Sequence, residues 1–362
     1  MLYWLLVPLR SDFFLFNVFR YITVRTAAAG ITALALSFFL APRIIRWLER
    51  RQIGQEIRAD GPKAHYAKKG TPSMGGLIVI LCTLAPTLLW GNLANAYVQV
   101  AMLSMVLFGL VGLADDVLKV RRKRSLGLRP GQKILLQLGL AALVGLIFIW
   151  MGSRGQFSLY LSFPFFKTWV PYLGWFYLPW IAFILVGSSN AVNLADGLDG
   201  LAIGLTLISA TALTALTYVA GHALWSQYLN IPRVPLAAEL TVFAGAFAGA
   251  CLGFLWYNCH PAQVFMGDVG ALSLGGTLAV VALLIKQEFL LFAVAGVFIL
   301  EALSVLLQVS YFKLSRGKRI FKMAPLHHHF ELSGWPEERV VIRFWILGIV
   351  FALFSLSTLK LR

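Results

Sequence analysis

The stretch "FMGDVG" places Asp268 at the entrance of residues 269–285, an apolar run that can cross a membrane. A carboxylate in hydrocarbon costs several kcal/mol, so Asp268 must reach water, a partner or a reaction. The chain has only 15 Asp and Glu among 362 residues. Four further aspartates fall at the ends of apolar runs: Asp115 and Asp116 in "GLADDVLKV", and Asp196 and Asp199 in "NAVNLADGLDGLA". Asp199 and Asp268 precede helical runs, where an aspartate commonly caps free N–H groups. Asp115 and Asp116 end a run, where the helix dipole disfavours anions, so they need a cation. Either "KVRRKR", which follows directly, or a metal supplies it. Aspartates and asparagines on separate loops, beside Lys and Arg, suit a small divalent ion such as Mg²⁺, which binds through one or two carboxylates plus substrate phosphates. That constellation points to exchange at a diphosphate.

Three more stretches bear on the same chemistry. "HYAKKGTPSMGG" (65–76) sets Lys68, Lys69 and two hydroxyls, one of them Ser73, before a glycine-rich helix start, a place for phosphate or simply a capped, closely packed helix. "SLGLRPGQK" brings Lys133 to the next helix entrance, where a snorkelling lysine is the plain alternative. "PLHHHFEL" (325–332) carries His327, His328 and His329. Adjacent side chains diverge, and zinc sites use other spacings, so these histidines are expected to hydrogen-bond a polar substrate, one of them titrating.

The elements that hold these residues are helices. The composition is 59% hydrophobic and 13% charged, too little charge to cover a water-soluble domain of this length. The chain is expected to be an all-α, polytopic membrane protein. Ten spans are predicted at 22–45, 75–90, 97–114, 133–151, 174–189, 200–218, 239–257, 269–285, 289–311 and 340–358. The N-terminal twenty residues lack the pattern of a signal peptide and are expected to stay as an interfacial segment. Cys82, Cys251 and Cys259 have neither disulfide nor metal-ligand spacing. The stretches 42–72, 115–133 and 313–343 hold 22 of the 31 Lys and Arg, and ten spans put them on one side. The positive-inside rule makes that side cytoplasmic and both termini periplasmic. Three such basic loops exceed what orientation needs and also suit an anionic lipid or phosphorylated substrate.

"GPKAHYAKKGTPSMGG", "GLADD", "NAVNLADGLDGLA", "YNCHPAQVFMGDVG" and "PLHHHFE" together closely resemble the phospho-N-acetylmuramoyl-pentapeptide transferases, a branch of the polyprenyl-phosphate N-acetylhexosamine-1-phosphate transferases. The motifs follow in the expected order from about residue 20 onward. The resemblance implies ten transmembrane helices in the bacterial inner membrane, a homodimer, Mg²⁺ dependence, a cleft facing the cytoplasm and no nucleic-acid partner. It implies transfer of phospho-MurNAc-pentapeptide from UDP-MurNAc-pentapeptide to undecaprenyl phosphate. By position, Asp115 and Asp116 resemble the pair that serves the lipid phosphate or a proton transfer, and Asp268 the metal-binding aspartate. Lys68, Ser73, Lys133, Asn190, Asn193, Asp196, Asp199 and Asn258 resemble residues of the nucleotide–diphosphate cleft, and His327–His329 mark the muramoyl branch. Ser73 stands where the family usually has Thr, so the hydroxyl survives. One domain, 1–362, is expected, with catalytic loops near 46–74, 115–133, 188–200, 258–268 and 313–338. A sibling acting on a simpler sugar lacks the full "PLHHHFE", and a secondary transporter would place its polar sites near the bilayer midplane.

Overall fold

The computed structural model describes residues 14–51, 70–122, 127–164, 166 and 169–361, together with 2, 5 and 8. The expected interfacial segment and Lys68 therefore fall largely or wholly outside the described residues. Among the described residues the regular structure is helical: α1 (Ile22–Arg50), α2 (Gly76–Trp90), α3 (Ala96–Arg122), α4 (Pro130–Ser153), α5 (Tyr177–Ala195), α6 (Leu201–Gly221), α7 (Ala223–Leu229), α8 (Ala237–Asn258), α9 (Gly267–Leu284), α10 (Glu288–Val294), α11 (Gly296–Leu314), α12 (Leu326–Glu331) and α13 (Glu337–Thr358). Among the described residues nine helical segments are long and apolar enough to span a membrane, and α2 is a shorter apolar helix.

Helix α9 is the axis of the molecule. It packs against α2, α3, α5, α6, α8 and α10, and every residue from Val269 to Leu284 is buried. A helix apolar all round belongs inside a bundle. Small residues let its neighbours close in. A Cβ on Gly112 of α3 would lie 2.2 Å from the carbonyl oxygen of Asp268. Only glycine there allows α3, with Asp115 and Asp116 one turn on, to lie against the start of α9.

Two expected spans differ from what is observed. The run ending at 114 continues as helix to Arg122. Asp115 and Asp116 thus sit inside a helix whose last turn carries Lys119, Arg121 and Arg122, cations that suit a helix C-terminus. The single span expected at 289–311 is two helices broken at Ala295, and the halves diverge. Helix α10 packs on α13, while α11 packs chiefly on α5.

At the end holding the N-terminus of α1, Arg25 forms a two-pronged ion pair with Glu239 of α8, at 2.7 and 2.6 Å. The polar turn after α9 is also folded inward. Lys286, Glu288 and Tyr177 are all buried, with Lys286 Nζ 2.9 Å from Glu288 Oε1 and the Tyr177 hydroxyl donating to the same carboxylate. Buried charge that remains paired ties α5 to the α9–α10 turn. The three cysteines are free thiols.

Candidate active site

The aspartates collect at the other end, around the start of α9. Residues 72–76 run beside 265–266: Phe265 N–H donates to Pro72 C=O, Gly75 N–H to Phe265 C=O and Gly76 N–H to Met266 C=O, at 2.8, 2.8 and 2.9 Å. This pairing brings Ser73 against Gly267, whose φ of 72° suits glycine; a Cβ there would also strike Asp116 Oδ2. The chain then enters α9 with Asp268 in its first turn. Met266, not Asp268, stands at the N-cap.

Asp268 instead turns to α3 and α4. Its Oδ2 accepts from Lys119 Nζ at 2.8 Å and from Lys133 Nζ at 2.7 Å. Lys119 Nζ also lies 2.8 Å from Asp115 Oδ2 and 3.1 Å from Asp116 Oδ1. The backbone fixes the other oxygens: Leu128 N–H donates to Asp115 Oδ1 at 2.7 Å, and Val269 N–H to Asp116 Oδ2 at 3.0 Å. With its amide oriented to satisfy both neighbours, Asn193 donates to Asp268 Oδ1 at 2.8 Å and accepts from Lys133 at 3.1 Å. Asp115, Asp116 and Asp268 each offer an oxygen, all within 4.8 Å of one another. Three hard oxygen donors from two helices fit a small divalent ion. Of the two counter-cations that the sequence left open, the "KVRRKR" stretch supplies one directly, through Lys119.

Asn190 lies one helical turn before Asn193. It donates to Gln137 Oε1 at 2.8 Å, and Gln137, buried one turn after Lys133, donates to Ser189 Oγ at 3.3 Å. Gln137 thus orients Asn190; it carried no sequence signal beyond being polar in an apolar run.

Asp196 and Asp199 face different ways. Asp196 ends α5 next to the cluster. Burial, then repulsion from Asp268, Asp116 and Asp199, pushes its carboxyl up to about 8. Gly200 takes the N-cap of α6, and Asp199 precedes it. Its Oδ2 contacts His260 Nδ1 at 3.0 Å and accepts from Ala262 N–H at 3.2 Å, while its own N–H donates to Glu337 Oε1 at 2.8 Å. Asp199, His260 and Glu337 form a second group whose atoms lie close enough to share an ion. Asn258 is buried and staples two loops, accepting from Gly200 N–H at 3.2 Å and donating to Val264 C=O at 2.9 Å.

The Asp196 shift carries a prediction. Its folded value lies above the ordinary 3.8. The folded state therefore holds an extra proton between about pH 4 and 8, and stability falls as pH rises through that window. Asp196→Asn imitates the protonated acid and should flatten the fall in melting temperature of detergent-solubilised protein between pH 6 and 9. An unchanged slope would assign it to another group.

The three histidines do three different things. His327 is fully buried, its Nδ1 3.1 Å from Glu301 Oε2 and its N–H donating to Glu301 Oε1 at 3.2 Å. Among the described residues its Nε2 has no hydrogen-bond partner, and it points at Gly197, where a Cβ would lie 2.3 Å away. His328 Nδ1 contacts Glu331 Oε2 at 2.8 Å. His329 Nδ1 accepts from Lys322 N–H at 3.1 Å and its ring stands edge-on to Phe321. Of the three, His327 is the one lodged against the Asp196 loop. Glu301, which holds it, was not marked by the sequence.

Comparison with known proteins agrees with this geometry. Residues 98–286 match glycosyl transferase family 4, a segment running from Asp115 past Asp268. The chain is 53% identical to a phospho-N-acetylmuramoyl-pentapeptide-transferase of Thermodesulfovibrio yellowstonii and 52% identical to those of Koribacter versatilis and Desulfotalea psychrophila, over the full length of both chains in each case. This chain belongs to the phospho-N-acetylmuramoyl-pentapeptide transferase family. In family terms, α3, α5 and α9 bring the aspartate motifs "GLADD", "NLADGLDG" and "MGDVG" together at one end of the bundle, with "PLHHHFE" against the middle one.

Proposed function

We infer that this chain transfers phospho-MurNAc-pentapeptide from UDP-MurNAc-pentapeptide to undecaprenyl phosphate, giving lipid I and UMP, the first membrane step of peptidoglycan synthesis. The observation that carries the reading is the convergence of Asp115, Asp116 and Asp268 on two lysines, within a chain of this family. The undecaprenyl phosphate is a monoester whose second pKa is about 6, so its oxygen is largely deprotonated at neutral pH and needs no strong base. That oxygen attacks the phosphorus bonded to the sugar. The bond from this phosphorus to the bridging oxygen breaks, and UMP leaves with the electron pair. What opposes the step is repulsion between anions and charge on the leaving group. Lys133, held by Asp268 and Asn193, and Lys68 offset it. Asp268 would hold Mg²⁺, with Asp115 and Asp116 beside it placing the lipid phosphate through the same ion; when bound, the ion would neutralise diphosphate charge. Ser73, Asn190 and Asp196 face the nucleotide–diphosphate side, while Asp199 and Asn258 act there by fixing the loops they join. His327 to His329 serve the muramoyl group. A covalent aspartyl intermediate would need an aspartate released from its lysines, so direct attack is the simpler route.

The loops near 46–74, 115–133, 188–200, 258–268 and 313–338 then form one catalytic surface of a single domain, active as a homodimer, with the inner membrane around it and the cytoplasm before it. The test is release of UMP by purified protein given both substrates and Mg²⁺. Release from UDP-GlcNAc instead would move the chain to the sibling activity, and no release from either would end the reading.

Orientation has its own test. In a Cys259→Ser background, which removes the one exposed thiol, an impermeant reagent applied to intact cells should label Tyr160→Cys and Tyr228→Cys but not Ile320→Cys. The reverse pattern would put the site in the wrong compartment for a UDP-sugar.

A further inference from the structure

Lys119 is one of the two lysines on which the aspartates converge, yet no step above uses its ammonium, which is at the centre of the site. It lies 2.8, 3.1 and 2.8 Å from oxygens of Asp115, Asp116 and Asp268, the three carboxylates best placed to hold a divalent ion. We propose that Lys119 is a built-in competitor for the divalent cation: its ammonium occupies the ion's position between the three carboxylates, and it moves to a substrate phosphate when the ion enters. The proposal rests on the diphosphate-exchange reading above.

Size and charge both argue that the two cations exclude each other. Mg²⁺ binds oxygens at 2.0–2.1 Å, so its ligand oxygens stand at most roughly 4.2 Å apart. The opening here is set by an ammonium, which lies 2.8–3.1 Å from the three aspartate oxygens, longer contacts than Mg²⁺ makes. Closing that opening onto a small ion leaves no room for the Nζ. Were both present, a divalent and a monovalent cation would sit within about 3 Å of each other, a like-charge repulsion that three carboxylates, one of them already engaged by Lys133, do not cancel.

The two lysines differ in their freedom to leave. The Lys133 side chain is 14% exposed and held by Asp268 together with Asn193. Lys119 is 30% exposed and sits in the last turn of α3. Once displaced, its ammonium is free for the phosphate oxygens that arrive with the nucleotide sugar. The exchange makes ion binding weak until a diphosphate accepts the lysine, so ion and substrate bind with positive coupling.

The test uses Mn²⁺ as the probe, followed by electron paramagnetic resonance on detergent-purified full chain. Lys119→Met should bind Mn²⁺ at least tenfold more tightly than the parent. Lys133→Met should gain less, although it removes the same charge. Adding UDP should tighten Mn²⁺ binding in the parent more than in Lys119→Met. Should Lys119→Met not purify folded, Lys119→Gln takes its place. Mn²⁺ affinity unchanged or weakened in the Lys119 variant, or raised equally in both lysine variants, overturns the competitor. Asp268→Asn separates this from failure of the site: if Mn²⁺ binding is untouched there, the carboxylates do not hold the ion and the underlying reading fails.

Discussion

Asp268→Asn should lower turnover by about 10²–10³-fold, the range for losing one preorganised charged contact at a reacting centre, while the protein remains folded. The substitution keeps size and shape, and asparagine is as good a helix cap as aspartate, so a capping role would survive it. Met266 stands at the N-cap, and the Asp268 carboxylate is spent on Lys119, Lys133 and Asn193. Asparagine can keep one oxygen for the two ammonium groups, which share Oδ2, but then turns its N–H₂ against the Asn193 amide that donates to Oδ1, and the lysines lose their counter-charge. Positive charge at the cluster rises by one, which weakens any divalent ion as well. The measurement is kcat at saturating substrates alongside the melting temperature. A well-folded variant with near-parental turnover would return Asp268 to an ordinary structural aspartate.

The spans were legible because lipid demands about twenty apolar residues for each crossing and the sequence obliges. Helix ends were less so. Hydropathy stops at Asp115, but the backbone does not. Leu118 and Val120 continue the helix, and the basic residues of its last turn are favourable there. Reading Asp115 and Asp116 as the end of a span hid the i,i+4 and i,i+3 relation that delivers Lys119 to them. The break at Ala295 was equally hidden, since no proline marks it and Gly296 alone is weak punctuation in a membrane helix. The site aspartates were recognisable one by one because charge is rare in this chain. Their partners were not. Gln137 meets Asn190 across 53 residues, and His260 meets Asp199 across 61. Pairings of that separation depend on which helices pack together, and hydropathy does not encode helix neighbours.

Glu301 is the sharpest case, and its removal should have the second-largest effect. It lies in "GVFILEALSVLL", where an acid inside an apolar helix demands a partner. That partner is His327, 26 residues on, and both side chains are completely buried. One Glu301 oxygen accepts the His327 backbone N–H while the other meets Nδ1. A proton on Nδ1 leaves Nε2, aimed at Gly197, as a hydrogen-bond acceptor. Glu301→Leu strands two buried polar groups of His327, each costing about 1–3 kcal/mol when left unpaired, and frees the ring from the Asp196 loop. The expected result is a fall in kcat/KM for the muramoyl substrate of about 10–10²-fold, the scale set by roughly 1.4 kcal/mol per factor of ten. Glu301→Gln, which keeps an acceptor for the N–H, should recover part of it. The Mg²⁺ concentration for half-maximal rate should stay the same in both variants, because neither Glu301 nor His327 touches the three-aspartate cluster. A Glu301→Leu variant that needs much more Mg²⁺ would instead tie the histidine loop to the metal, and the division of labour between aspartates and histidines would be wrong.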